Sequence, residues 1–138
     1  MARIVLTDAK VTINGVNLSD HIASVTISES ADVVETTAFS NTAKTRVAGL
    51  LDNSVTLEFH QDFAASSVEA TINGTSSLVG TVTAIVVTPT SSAVGATNPS
   101  YSFNALVSEW TPLNGSVGEL STASVTWPIS GAITKAVA

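Results

Sequence analysis

No cysteine occurs among the 138 residues. That excludes a disulfide framework, a thiolate metal site and a thiol nucleophile. Cationic side chains are scarce as well: five Lys and Arg stand against eleven Asp and Glu, for a net charge of −6. Binding nucleic acid by phosphate neutralisation needs clustered Lys and Arg, which this chain lacks. A neutral or acidic wall past which DNA slides is still compatible with that charge, because it would not grip the polyanion. Aromatics are few, with two Trp, one Tyr and four Phe, and most fall within strand patterns. That argues against the aromatic platform of a glycan-binding or enzymatic β-sandwich. The N-terminal MARIVLTDAK has no apolar run long enough for a signal peptide. No run approaches a membrane span.

What is abundant is Ser, Thr and β-branched apolar residues, with 44% hydrophobic and only 12% charged residues. Disorder requires low hydrophobicity and high net charge. This composition instead fits an all-β protein. A chain of this length is most simply a single domain, 1–138, able to bury a core without staples. Sparse charge leaves little to keep surfaces apart. It suits a polar surface that meets other subunits as well as it suits a Ser/Thr-rich exposed sheet.

The clearest strand spans 53–61, where Val55, Leu57 and Phe59 alternate with Ser54, Thr56, Glu58 and His60. Period two implies one dry and one wet face. Further strands are expected over 3–7, around Val11 and Ile13, over 22–30 and over 33–39. Others are expected at 78–88 (long and largely buried), 100–110 and 120–127. Asn14-Gly15 between apolar runs signals a type I′ hairpin. One short helix is expected near 66–73, opened by a Ser66–Glu69 capping box and stopped by a left-handed Asn73-Gly74. Val68 and Ile72 share its face. Residues 40–52 read as a long polar loop, and 130–138 as a tail with little to anchor it. Flexible N- and C-terminal arms are therefore expected. The fold class is mainly β: an antiparallel sandwich or partly closed barrel with one short helix.

Constellations for chemistry are weak. His21 and His60 lack metal-site spacing with any carboxylate, and no Ser lies in a G-x-S-x-G context. Glycines are scattered as turn residues, so no phosphate loop is formed. The expectation is a non-enzyme without metal or cofactor. Lys44 and Arg46 sit together in the 40–52 loop, either as a solvated surface or as a contact to an acidic patch on another copy.

The run TTAFSNTAKTRVAGLLDNSVTLEFHQDFAA, residues 36–65, resembles the middle of major tail tube proteins of long-tailed bacteriophages, in the form seen in actinobacteriophages. Three further runs agree in the same order: GVNLSDHIASVTIS at 15–28, VVTPTSSAVGATNPSYSFNALVSEWTPLNGSVGEL at 86–120 and STASVTWPISGAITKA at 121–136. The resemblance implies hexameric rings whose strands join a continuous inner barrel. The rings stack into a tube around a tape-measure protein, and genome DNA later passes through without specific binding. It also implies tail-terminator and tail-tip partners, no membrane, and a place in the virion tail after assembly in the host bacterial cytoplasm. By the same resemblance Phe39, Lys44, Arg46, Leu50 and Asp52 are inter-ring contact candidates. Thr26, Ser28, Glu35, Thr37, Thr56 and Glu58 are lumen candidates. The alternative is another small virion component, such as a capsid decoration protein or a tail terminator.

Overall fold

The computed structural model describes residues 3–74 and 77–138. Ten strands and one short helix follow in the order β1 (Lys10–Ile13), β2 (Val16–Asn17), β3 (Ile22–Ser28), β4 (Ala31–Glu35), β5 (Arg46–Leu51), β6 (Ser54–His60), α1 (Val68–Ile72), β7 (Val82–Thr88), β8 (Ser100–Leu106), β9 (Thr122–Pro128) and β10 (Thr134–Ala136). They form a five-stranded sheet, β10-β8-β7-β1-β2, a three-stranded sheet, β3-β6-β9, and a separate two-stranded hairpin, β4-β5. Every pairing between these strands is antiparallel. The fold is mainly β with one short helix, as the composition and periodicity indicate, and the sheets do not close into a barrel.

The two larger sheets pack face to face. Val55, Leu57 and Phe59 from β6 and Ala123, Val125 and Trp127 from β9 are buried from one side. Val11, Ile13, Ile85, Val87, Phe103 and Ala105 meet them from the other. Phe59 touches Trp110 edge to face, with centroids 5.3 Å apart, and lies 6.2 Å from Trp127. An isolated Ala105–Ile129 bridge ties the end of β9 to the larger sheet.

Asn14 (φ 51°) and Gly15 (φ 81°) make the β1–β2 turn, both in the left-handed region that a type I′ turn requires. Val68 and Ile72 of α1 are buried on one face.

Several expectations are corrected. Residues 3–6 form no strand; Ile4, Val5 and Leu6 stand exposed without a sheet partner. The capping box does not form, because Ser66 itself has φ 62° and Ser67 precedes the helix. The Glu69 N–H donates to Asp62 O at 3.1 Å instead. Asn73 is not left-handed (φ −135°, ψ 43°). Gly74 is needed for close approach: a Cβ there would sit 2.5 Å from Ala70 O. Strand β7 starts at Val82, not Leu78, and is buried on one face only, because the outer face of the five-stranded sheet is uncovered. Strand β8 ends at Leu106 rather than Trp110. Residues 134–136 are no free tail; they pair with β8, Thr134 opposite Ser102 and Ala136 opposite Ser100.

The largest correction concerns 40–52. Residues 46–51 are strand β5, paired with β4. The Val33–Phe39 strand in turn shifts to Ala31–Glu35. The register slips by one residue between Ala31 and Val33, so Gly49 and Leu50 together oppose Asp32 as a bulge. That extra residue breaks the period-two signal of RVAGLL.

Candidate functional site: a hydroxyl-lined face and a projecting hairpin

Strands β3 and β6 run on into β4 and β5, so the two pairs form one long, bent ribbon. The bend is held by hydrogen bonds. Ser30 N–H donates to Asn53 Oδ1 at 3.2 Å, and Asp52 N–H to Ser30 O at 2.8 Å. Asn53 is buried, and its carbonyl accepts from Ile129 N–H at 2.9 Å. Beyond this joint the ribbon leaves the core, and every residue of β4 and β5 is exposed.

The arm carries apolar and charged side chains on fully exposed strands. Across it Glu35 faces Arg46, Val34 faces Val47 and Val33 faces Ala48. Alternation therefore puts Val33, Ala48 and Leu51 on one face and Val34 and Val47 on the other. Val33 is 69% exposed and Leu50 82%. Near the tip Lys44 Nζ lies 3.8 Å from Glu35 Oε1, and the Thr36 and Thr45 hydroxyls are 2.8 Å apart. The turn is closed by Ala38 N–H donating to Asn41 Oδ1 at 2.6 Å, with Ser40 at φ 75°. Phe39 stands at this tip, fully exposed. A lone two-stranded hairpin is marginal in water, and a contiguous apolar surface of this kind marks a contact region.

The five contact candidates Phe39, Lys44, Arg46, Leu50 and Asp52 all lie on this arm or at its base. The lumen candidates divide. Thr26 and Ser28 of β3 pair with Thr56 and Ser54 of β6, and Ser24 pairs with Glu58. Thr56 pairs in turn with Thr126, and Glu58 with Ser124. Thr26, Ser28, Thr56 and Glu58 thus share the outer face of the three-stranded sheet. That face is almost wholly hydroxyl-bearing; Glu58 is its one carboxylate, and His60 lies at its end. Glu35 and Thr37 are elsewhere, on the arm. Sequence reasoning did not single out Val33, Val34, Val47 and Leu51, the exposed apolar groups of the arm. Their signal was the Val33-Val34 pair and RVAGLL, which no dry-wet alternation marks because neither face is dry.

Among the described residues no cluster of three His, Asp or Glu side chains could hold a metal ion. His21 is instead clamped by carboxylates at both ring nitrogens: Nδ1 is 2.8 Å from Asp20 Oδ1 and Nε2 is 2.7 Å from Asp62 Oδ2. The Asp20 hydrogen bond, opposed by partial burial and aided by Asp62, raises the His21 pKa above its ordinary value. The backbone N–H of Ala64 and the His21 contact hold Asp62 below the usual carboxylate value. This clamp fastens the start of β3 to the segment after β6. Beside it, Glu69 accepts from Trp110 Nε1 and Gln61 Nε2, both at 2.9 Å, and from Asn73 Nδ2 at 3.1 Å.

No protein-family model and no curated protein matches this chain. Solved structures do. One similar chain belongs to the cryo-EM structure of an extracellular contractile injection system, PVC sheath/tube terminator in extended state. It has a TM-score of 0.71 and 15% identity over 98% of this chain and 97% of that one. Another belongs to the anti-feeding prophage (AFP) baseplate, 6-fold symmetrised, with a TM-score of 0.56 and 9% identity over 99% and 98%. At these identities the likeness establishes a shared fold, and that fold is one found among components of phage-tail-like particles.

Proposed function

We propose that this chain is a structural subunit of a phage-tail-type particle, one that assembles with copies of itself into rings stacked as the tail tube. The observation that carries the reading is the arm: a hairpin with apolar side chains on both faces, projecting from an otherwise complete sandwich. In the stack, Phe39, Lys44, Arg46, Leu50 and Asp52 reach the neighbouring ring. The hydroxyl-rich face of Thr26, Ser28, Thr56 and Glu58 lines the bore. Hydroxyls and a single carboxylate give DNA no cation to bind, so it slides through. The partners are further copies, a tape-measure protein, and terminator and tail-tip proteins. The chain is structural rather than catalytic, and its place is the virion tail, assembled in the host cytoplasm.

A second reading has a specific observation in its favour. The near full-length likeness to a chain of a sheath/tube terminator structure suits a subunit that makes one ring and stops. Light-scattering mass against concentration separates the two. A tube subunit grows without a fixed end point. A terminator plateaus at a single ring. A monomer at every concentration, in the presence of fragmented tails as nuclei, removes both.

A further inference from the structure

The two edges of the three-stranded sheet are finished differently. Thr126 N–H donates to Glu109 Oε1 at 2.9 Å, so its backbone points away from β6. By antiparallel alternation the outward amides of β9 are those of Thr122, Ser124 and Thr126, while Pro128 has none to offer. Thr122 N–H is taken by Asn114 O at 3.3 Å. Only the Ser124 amide is left open among the described residues. On β3 the same alternation turns the backbone groups of Val25 and Ile27 outward, and none of them finds a partner among the described residues. One edge is guarded and the other is open.

Glu109 is built to guard. Its carbonyl is fixed by Trp127 Nε1 at 2.9 Å, and Trp127 is fully buried. The carboxylate is exposed, so it can swing away without opening the core. We propose that Glu109 is a removable plug on the β9 edge. It keeps that edge from pairing with the open β3 edge of a second copy until assembly displaces it. This rests on the reading of the chain as a ring-forming subunit. Both strands are seven residues long. Both run antiparallel to β6, so a β9–β3 junction between copies is parallel and head to tail, the kind of contact that closes into rings. It would also join the hydroxyl faces of Ser24 and Thr26 to those of Ser124 and Thr126. Edge strands left open invite such pairing, and a charged side chain on the edge restrains it.

The test compares wild type, Glu109→Ala, Glu109→Gln and the double variant Glu109→Ala/Ser124→Pro. Sedimentation velocity reads association, and amide hydrogen exchange reads Thr126. Glu109→Ala should speed Thr126 exchange and lower the concentration for half-association by about fivefold, the factor equivalent to one ordinary net hydrogen bond. Glu109→Gln keeps an acceptor and should stay near wild type. Adding Ser124→Pro removes an outward amide and should cancel the gain. Faster Thr126 exchange with unchanged or weaker association overturns the proposal, as does a gain that survives Ser124→Pro. The ratio of variant to wild type judges the plug whether wild type makes tubes, single rings or smaller oligomers, so its failure is separate from failure of the tube reading.

Discussion

Ser30 and Asn53 face each other at the bend where the sandwich ends and the projecting arm begins, the Ser30 N–H donating to Asn53 Oδ1 at 3.2 Å. Asn53 is buried, and its own carbonyl ties the same point to Ile129. One residue thus links the arm to the core, its side chain accepting from Ser30 and its main-chain carbonyl from Ile129. Asn53→Ala should leave the Ser30 amide unpaired and cost about 1–2 kcal/mol in denaturant unfolding. Hydrogen exchange should quicken over 31–51 and stay slow in β6.

The arm itself contributes little to the stability of the isolated subunit, since all of its residues are exposed. The double variant Lys44→Glu/Arg46→Glu should change unfolding free energy by no more than about 0.5 kcal/mol. Its effect should fall on assembly: a folded monomer that no longer forms polymer in light scattering. Unchanged polymer would remove this arm from the contact between rings.

The His21 clamp gives a defined pH response. Raised by Asp20 and Asp62, the His21 pKa makes the protonated ring favour the folded state. That stability is full below the ordinary value of 6.5 and is lost as pH rises through the raised value. Asp62, lowered by the Ala64 N–H and His21, adds stability above 3.8 that is lost as pH falls through its depressed value. Thermal unfolding should therefore show Tm highest between 3.8 and 6.5 and declining as pH rises above 6.5 through the raised His21 value. His21→Gln should remove the alkaline part of the decline.

Glu69 holds Trp110, Gln61 and Asn73 at once. Glu69→Ala strands the Trp110 indole N–H and should cost about 1–3 kcal/mol, read from chemical denaturation. Glu69→Gln retains an acceptor and should lose less.

The sequence disclosed the sandwich where period two ran unbroken. Val55, Leu57 and Phe59 are the clearest case: all three are buried, and their polar neighbours form the outer face. The Asn14-Gly15 turn was equally legible, because its backbone demand is local. Strand β5 was hidden because the Gly49–Leu50 bulge breaks its period and neither of its faces is buried. Strand β10 was hidden for another reason: three residues paired with β8 carry no signal until the chain has folded back. For the candidate site, the segment was readable but its shape was not. The five contact candidates fall together on one arm, whereas Glu35 and Thr37 leave the face that holds Thr26 and Thr56 because the ribbon bends at Asn53.

Stacking of this subunit in rings through its arm is open to direct observation. Negative-stain electron microscopy of the purified wild-type chain, from dilute to concentrated and with fragmented tails added as nuclei, tests it most directly. Hollow rings and stacked tubes of one diameter are expected. Compact particles without a bore at every concentration, nuclei included, would contradict stacking.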